Sequence, residues 1–229
     1  MAKLVRVIDT ERCMGCRSCL SACYMENYLT PDSPWNVMME WETGAYPNVG
    51  RSFVTMNCMH CEYPPCKAVC DDIGVHAISR NELGVVLIDY DKCIGCQYCV
   101  ATCPYGVPQY NAELRTLYPD QEPTPPEAIP YDKRHPTHRK KVNTVEKCTF
   151  CWHKLEKAVE NGEVGLIGKV PEYTPSCDVV CPVGARVFGD IEDPTSEVAK
   201  WVGQKRAGQL KKEFGTRPQV YYVLEGGDY

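Results

Sequence analysis

Sixteen cysteines carry the most distinctive chemistry in this 229-residue chain, and they fall into four groups of four. One group, CIGCQYCVATCP, runs from Cys93 to Pro104, with three cysteines at every third position and a fourth four positions later. Another, CMGCRSCLSACY, repeats this spacing 80 residues earlier, from Cys13 to Tyr24. Packing of a protein core requires no such regularity, so the pattern indicates thiolates that bind metal.

The remaining two groups have a looser spacing and resemble each other. CMHCEYPPCKAVC runs from Cys58 to Cys70, and CTFC with PSCDVVCP supplies the cysteines from Cys148 to Cys181. The last group contains an insertion of 21 residues, because 25 residues separate its second and third cysteines where the earlier group has 4. Four modules of four thiols therefore account for every cysteine.

The spacing C-x2-C-x2-C-x3-C-P is typical of bacterial ferredoxins, in which three thiolates hold one 4Fe–4S cluster and the fourth ligates a neighbouring cluster. Sixteen cysteines then predict four 4Fe–4S clusters. A disulfide scaffold is not favoured, since the N-terminus lacks the apolar core of a secretory signal and cytosolic thiols stay reduced. Zinc remains an alternative for the pair Cys148 and Cys151, and imidazole ligation for His60 and His153, which adjoin cysteines.

The segments between the modules favour one way of pairing them. Tyr24–Asn57 has 34 residues, Asp71–Lys92 has 22 and Pro104–Lys147 has 44. The shortest is closest to the compact connection of a two-cluster ferredoxin, which favours pairing the second module with the third and the first with the fourth. Four predicted sites follow: site 1 with Cys13, Cys16, Cys19 and Cys181; site 2 with Cys23, Cys148, Cys151 and Cys177; site 3 with Cys58, Cys61, Cys66 and Cys103; site 4 with Cys70, Cys93, Cys96 and Cys99.

Composition and charge exclude several other classes of protein. The net charge of −5 comes from 25 basic and 30 acidic residues, so the basic footprint of a nucleic-acid-binding protein is missing. Apolar runs such as Val85–Ile88 are strand-sized and far shorter than the roughly 18 residues of a membrane span. The sequence also shows no nucleophile–base set, glycine-rich phosphate loop or open metal site that would make the chain an enzyme by itself.

The rest of the sequence predicts a loop-rich α+β fold built from tandem ferredoxin-like modules. Strands are expected at Leu4–Asp9, Gly84–Asp89 and Gln219–Leu224. A helix is expected at Cys151–Asn161, ending at Gly162, with three residues on its buried face: Trp152, Leu155 and Val159. A second helix should follow Asp193-Pro194 and turn three residues inward: Val198, Trp201 and Val202.

Five segments describe the predicted organisation of the chain. They are a first cluster module at 1–57, a contiguous two-cluster module at 58–103, a proline-rich and basic insertion at 104–147, a fourth module at 148–190, and a C-terminal helix and tail at 191–229. The first module is expected to pair with the fourth.

Several side chains near the cysteines have an ordinary interpretation. His60 and His153 are expected to shield cluster sulfur atoms or to hydrogen-bond with them. The run HPTHRKK, at the end of segment Pro119–Lys141, is expected to be a solvated loop, with docking of a partner as the alternative. Three tyrosines are expected to pack in the core or at an interface rather than to line an electron route: Tyr98, Tyr105 and Tyr110.

Residues 4–194 resemble the four-cluster iron–sulfur (beta) subunit of the molybdopterin oxidoreductase, or dimethyl sulfoxide reductase, superfamily. The motifs that carry the resemblance are CMGCRSCLSACYMEN, CMHCEYPPC, CIGCQYCVATCPYGVPQYN, EKCTFCWHKLEKA and CPVGARVFGDIEDP. The chain looks most similar to the short, anchorless beta subunits of polysulfide, thiosulfate, tetrathionate and arsenate reductases. It departs in having Asp71 after Cys70, where relatives commonly have proline. All sixteen ligand positions are cysteine, which favours four 4Fe–4S clusters over a 3Fe–4S centre.

The resemblance implies an electron-transfer subunit that is not an enzyme by itself. Its partners would be a molybdenum or tungsten bis-pterin catalytic subunit, facing site 1, and a membrane anchor subunit with a quinone site, facing site 4. The nested ligation of the family matches the pairing favoured by the segment lengths. The protein would be membrane-associated through these partners, in the periplasm after export together with the catalytic subunit or otherwise in the cytoplasm. The alternative function is a polyferredoxin-like electron-transfer subunit of a formate dehydrogenase or hydrogenase complex.

Overall fold

A four-stranded sheet forms one side of the molecule. The computed structural model describes residues 2–115, 129–203 and 207–224. The strands lie in the order β8 (Arg186–Asp190), β1 (Leu4–Asp9), β10 (Val220–Val223) and β9 (Ala207–Gly208). β1 is antiparallel to β8 and parallel to β10, so the expected strands at the two ends of the chain are confirmed and pair with each other.

Strand β1 is buried on both faces, in keeping with its almost continuous apolar sequence, LVRVID. Leu4 and Ile8 belong to the main core, which also contains cysteines, whereas Val5 and Val7 pack in a second core on the opposite side of the sheet. Because successive side chains of a strand alternate between faces, Arg6 points to the same side as Leu4 and Ile8. The strand therefore carries a cation toward the cysteines.

Four short helices carry six of the sixteen predicted ligands, and they pack in two pairs. α1 (Ser18–Asn27) packs against α5 (Ser176–Val179), and α2 (Pro65–Asp72) packs against α3 (Tyr98–Thr102). α3 stops before Cys103-Pro104, since the residue before a proline avoids helical geometry. With Asp71 in place of proline, α2 instead continues beyond Cys70.

Three two-stranded sheets complete the strands. β4 (Ile78–Arg80) pairs with β5 (Val86–Ile88), which is shorter than the strand expected at Gly84–Asp89. β6 (Gln109–Asn111) pairs with β7 (Thr144–Glu146). β2 (Asn36–Ala45) and β3 (Asn48–Asn57) form a long hairpin that the sequence analysis did not predict. Small sheets and short helices of this kind agree with the α+β class.

Two helices follow the predicted ligands along the chain. α4 (Trp152–Glu160) confirms the helix expected at 151–161, but its buried side chains are Leu155 and Ala158, and Val159 is exposed. α6 (Glu197–Gly203) starts three residues later than Pro194 and buries Val198, as expected. No helix among the described residues is long and apolar enough to cross a lipid bilayer.

The basic run HPTHRKK is not the solvated loop that was expected. Thr137, His138 and Lys140 are buried, and the Lys140 ammonium forms an ion pair with buried Glu146 at 3.2 Å. Residues 119–128 of the same predicted loop lie outside the described residues. Single turns of 3-10 helix occur here and elsewhere: Tyr131–Lys133, Pro136–His138, Val164–Leu166, Pro171–Tyr173 and Lys212–Phe214.

Candidate metal-cluster sites

Three of the four predicted thiol sets each surround a small cavity. The cavities of sites 1, 3 and 4 have volumes of about 350, 360 and 340 Å³, which include space open to solvent. Their nearly equal sizes suit the same kind of occupant. The cysteines that line them are Cys13, Cys16, Cys19 and Cys181 in site 1; Cys58, Cys61, Cys66 and Cys103 in site 3; and Cys70, Cys93, Cys96 and Cys99 in site 4.

The closeness of the site 2 thiols is shown by an asparagine amide that contacts two of them and by their effect on one another's pKa. The side-chain Nδ2 of Asn27 lies 3.8 Å from the sulfur of Cys23 and 3.7 Å from that of Cys151. Burial raises the pKa of Cys23 well above its usual value, and the nearby thiols of Cys148, Cys177 and Cys151 raise it further. The structure thus brings the thiols of each predicted set together, while ligation of a cluster by each set stays a prediction.

The first cysteine pair of every module lies in a loop with left-handed backbone at the same position. The residues before the second cysteine are Gly15, His60, Gly95 and Phe150, with φ of 71°, 44°, 68° and 53°. A Cβ atom on Gly95 would lie 2.1 Å from the carbonyl oxygen of Asn143, so glycine is required there. His60 and Phe150 adopt this conformation with large side chains, a strain that is tolerated mainly at functional sites.

Backbone N–H groups point at the cysteine sulfur atoms. Five such contacts, at 3.2 to 3.5 Å, reach at least one sulfur in each site: Ala185 to Cys181, Phe150 to Cys148, His60 to Cys58, Ala77 to Cys70 and Val145 to Cys93. Hydrogen bonds to ligand sulfur are one of the ways in which a protein adjusts the potential of an iron–sulfur cluster. The loops therefore provide both ligands and donors.

Several of the buried thiols do not ionise readily by themselves. Burial, with a smaller contribution from neighbouring thiols, raises the pKa of Cys61, Cys66 and Cys99 to about 12. A coordinating metal ion would deprotonate such thiols outright, because its charge reverses the local electrostatics. Among the described residues, no three cysteine, histidine, aspartate or glutamate side chains converge closely enough to hold a single metal ion. The donor sets surround cavities instead, which is the arrangement that a polynuclear iron–sulfur cluster needs.

Two buried arginines and one aspartate lie beside site 2. The Arg6 guanidinium donates to both oxygens of Asp178, at 2.6 Å for the shortest contact, and its Nη2 lies 3.2 Å from the sulfur of Cys177. Arg186 donates to the same carboxylate at 3.1 Å and lies 3.6 Å from the same sulfur. Arg186 also lines the cavity of site 1, so this group separates sites 1 and 2.

Two other buried polar residues lie between sites 2 and 3. Asn57 directly precedes Cys58, yet its Nδ2 is 3.9 Å from the sulfur of Cys148. Lys147 directly precedes Cys148, yet it lines the cavity of site 3. The second and fourth modules therefore each send the residue before the first cysteine toward the neighbouring site.

The two histidines next to cysteines do not contact sulfur through their rings. His60 accepts a hydrogen bond from the backbone N–H of Val86 at 3.0 Å and stacks on Phe150 with 3.7 Å between ring centres. His153 pairs with Glu26 at 2.7 Å. His60 is nevertheless fully buried between sites 2 and 3, so the expected shielding role agrees with its position, whereas the expected side-chain hydrogen bond to sulfur is not seen.

The three tyrosines differ in their surroundings. Tyr105 is buried, and its hydroxyl group lies 2.8 Å from that of Thr216, as expected for a packing role. Tyr110 is half-buried and bonds to Asn143. Tyr98, beside site 4, is exposed.

The sites differ in their access to solvent. All four cysteines of site 2 are buried, and in site 3 only Cys103 is partly exposed. Cys16 of site 1 and Cys96 of site 4 are exposed instead. The residues that follow the first cysteine in these two loops, Met14 and Ile94, are 60% and 65% exposed. Sites 1 and 4 therefore reach the surface, and sites 2 and 3 do not.

The polar residues between the sites were missed by the sequence analysis. Arg6 interrupts an otherwise apolar strand, and that interruption was the available signal. Lys147 stands at the position of Arg12 and Lys92 in the repeat, and Thr144 in place of Asp9 and Asp89 was the available signal. Asp178 gave no signal of its own.

Comparison with known families identifies two overlapping regions of the chain. Residues 49–118 and residues 92–185 each match a family described as a 4Fe–4S dicluster domain. Two dicluster domains amount to four 4Fe–4S clusters, the number that the sixteen cysteines predict. The cofactor prediction is confirmed at this level.

Curated relatives match over almost the whole chain. A selenate reductase subunit from Mesobacillus selenatarsenatis is 36% identical over 96% of this chain and 71% of its own length. The iron–sulfur subunit of the arsenate respiratory reductase of a Shewanella species is 33% identical over 98% and 97% of the two chains. The iron–sulfur cluster-binding subunit of the menaquinone reductase of Nitratidesulfovibrio vulgaris is 34% identical over 95% and 87%.

Proposed function

Because the chain belongs to the family of iron–sulfur electron-transfer (beta) subunits of the molybdopterin oxidoreductase superfamily, we propose that it connects two partner proteins. One is a catalytic subunit with a molybdenum or tungsten bis-pterin cofactor, and the other is a membrane subunit that reacts with quinone. The chain is an electron-transfer component rather than the catalytic subunit. The relatives are named as subunits of reductase complexes, so a carrier for a formate dehydrogenase or hydrogenase is not favoured.

The four thiol sets would hold the four clusters. A bound 4Fe–4S cluster with four thiolate ligands takes up and releases a single electron and has no open iron for substrate. The protein's own contribution is to supply the thiolates, to aim N–H groups at their sulfur atoms and to keep water out of the two inner sites. Nested ligation is supported by the packing of α2 on α3 and of α1 on α5, which brings the fourth cysteine of one module beside its partner module.

The exposure of the two outer sites is the observation that carries this proposal. An electron can enter or leave only where a site approaches the surface, and Cys16 and Cys96 are the exposed thiols of the sixteen. The two inner sites are closed and lie between buried charges. We infer a row in the order 1, 2, 3, 4, with site 1 toward the catalytic subunit and site 4 toward the membrane partner.

Attachment to the membrane would then be indirect, through the quinone-reactive partner. The name of the menaquinone reductase relative supports a partner that handles quinone. Export together with a folded catalytic subunit would place the complex in the periplasm. Fractionation of cells that express the complete complex distinguishes this location from the cytoplasm.

Replacing Cys99 by serine in the assembled complex tests the order of the row. We expect quinol-driven turnover to be lost, since site 4 is the point of entry, while an artificial donor that acts near the catalytic subunit still supports the reaction. Cys16→Ser, at the other end, is the matched control and should impair both assays. Loss of both activities in Cys99→Ser, with the complex intact, would contradict the assignment of the ends.

Replacing Cys103 tests the ligand sets themselves. Cys103 lines site 3 although its neighbours in sequence line site 4. The variant Cys103→Ser should therefore damage the cluster of site 3 and spare that of site 4, as seen by electron paramagnetic resonance of the anaerobic protein. If Cys103→Ser and Cys99→Ser altered the same signal, the nested ligation would be wrong.

A further inference from the structure

The residue before the first cysteine of each module takes one of two conformations. Arg12 and Lys92, in the first and third modules, are exposed and form ion pairs with the aspartate three residues earlier, Asp9 and Asp89. Each of these aspartates also accepts a hydrogen bond from the backbone N–H of the basic residue. The loops that lead into sites 1 and 4 thus hold their basic side chains in solvent.

Lys147 occupies the same position in the fourth module and turns inward. Three residues earlier the chain has Thr144, which cannot form an ion pair. Lys147 is 2% exposed, whereas the Lys92 side chain is 64% exposed. The Lys147 ammonium donates to the backbone carbonyl oxygens of Val86 and, at 3.2 Å, of Cys148.

Lys147 differs from the other buried cations in having no carboxylate partner. Arg6 and Arg186 share Asp178, and Lys140 pairs with Glu146. No ion pair involves Lys147 within residues 2–115, 129–203 and 207–224. A buried cation without a counter-charge is strongly destabilising, so a negative charge is required within reach.

Thiolate-bound clusters would supply that negative charge. Lys147 lines the cavity of site 3 next to Cys58 and Cys66, and it also bonds to the carbonyl of Cys148 in site 2. We propose that Lys147 is the internal counter-ion of sites 2 and 3 and that its charge raises the reduction potentials of the clusters held there. This inference rests on the proposed function, because it requires both sites to hold clusters.

The physical basis is the change in charge on reduction. When a site gains one electron from dithionite or from the adjoining site, its negative charge increases. A fixed positive charge at short range stabilises the reduced state more than the oxidised state, and a dry interior screens this effect weakly. Sites 1 and 4, whose corresponding basic residues are exposed, lack this contribution.

An anaerobic redox titration of the full chain with its clusters, monitored by electron paramagnetic resonance, tests the proposal. The variants are Lys147→Met, which removes the charge, Lys147→Arg, which keeps it, and Lys92→Met, a control at the equivalent exposed position. In Lys147→Met we expect the equilibrium constant for reduction to fall at least tenfold at two of the four clusters. For a one-electron step this lowers the midpoint potential by about 59 mV. The other two should stay within the error of the wild-type protein, as should all four in Lys92→Met.

The outcomes separate this inference from the proposed function. A wild-type protein without four 4Fe–4S signals would contradict the proposed function, whatever Lys147 does. If Lys147→Met keeps its full iron content and its reduction potentials are unchanged, Lys147 does not act as a counter-ion. If Lys147→Met loses iron, retention of iron and of the wild-type potentials in Lys147→Arg supports the role of charge. If Lys147→Arg loses as much iron as Lys147→Met, the counter-ion role is wrong and Lys147 contributes through packing.

Discussion

The inner and outer sites each start from a C-x2-C pair but lie in opposite surroundings. Sites 1 and 4 come from loops with glycine before the second cysteine, and each places one thiol and one large apolar side chain in solvent. Sites 2 and 3 come from loops in which His60 and Phe150 take that position and stack against each other. The outer loops can approach a partner closely, whereas the inner loops close the junction between the two halves of the chain.

The buried charges follow this division only in part, because Arg186 lines the cavity of outer site 1. The buried cations of the described residues are Arg6, Lys140, Lys147 and Arg186, and the core around site 4 contains none of them. The walls of site 4 are apolar, with Ile78, Ile88 and Val145 among them. A repeated ligand motif therefore fixes what is bound, and the residues around it determine how each site is used.

Removal of iron should destabilise the fold more than any substitution, and it should destabilise the inner sites most. Anaerobically purified protein should contain about 16 iron and about 16 sulfide ions per chain, at four of each per cluster. Chelation should unfold the chain, because ligands from distant segments meet only at the clusters. Far-ultraviolet circular dichroism and iron analysis, followed together, measure this.

Two alanine variants test the same difference between inner and outer sites at single positions. Cys151→Ala, at a buried inner position, should lower the yield of folded protein far more than Cys16→Ala, at an exposed outer one. Stoichiometric zinc with little sulfide in the purified protein would contradict the iron–sulfur assignment. Equal losses in the two variants would contradict the difference between inner and outer sites.

The thiol sets could be predicted from the sequence because ligand spacing is local and the number of ligands per cluster is fixed. Burial of a charge is not a local property. The HPTHRKK run has the composition of a solvated loop, but Lys140 finds Glu146 on β7, and only the tertiary fold creates that partner. Lys147 and Lys92 occupy the same position in the repeat, but Thr144 stands where Asp89 pairs with Lys92, and the tertiary fold buries Lys147.

The buried face of α4 and the long hairpin were also not predicted correctly from the sequence. The spacing of Trp152, Leu155 and Val159 fits an amphipathic helix, yet Ala158 is buried and Val159 exposed, since the residues packed against α4 determine which edge of the apolar stripe is covered. The hairpin β2–β3 lies within the segment interpreted only as a connection between modules. Its outer half is exposed on both strands, so it lacks the clean alternation that predicts a half-buried strand.

Breaking the charge group between sites 1 and 2 should have the next largest effect. Asp178→Asn removes the only carboxylate between Arg6 and Arg186 in the described structure, which leaves two buried cations with less compensation. Loss of one partner from a buried ion pair costs about 3–5 kcal/mol. The apparent free energy of unfolding, measured anaerobically in urea by loss of visible absorbance, should fall by an amount of this order. Asp193→Asn, at an exposed pair with Lys169, is the control and should change little.

The smallest effects are expected at the exposed basic residues that precede sites 1 and 4. Arg12→Ala and Lys92→Ala remove ion pairs with Asp9 and Asp89 in which the basic partner is 57% and 64% exposed. Such pairs contribute roughly 0–1 kcal/mol, because water screens the charges and ordering the long side chains costs entropy. Asn57→Ala, at the corresponding inner position, removes a buried donor that lies 2.8 Å from the carbonyl oxygen of Cys58, and it should cost about 1–3 kcal/mol. The same anaerobic urea titration ranks the three variants. If Arg12→Ala lowers the free energy of unfolding as much as Asn57→Ala does, the residue before the first cysteine contributes equally in the two modules. Its burial in the inner module would then have no energetic consequence.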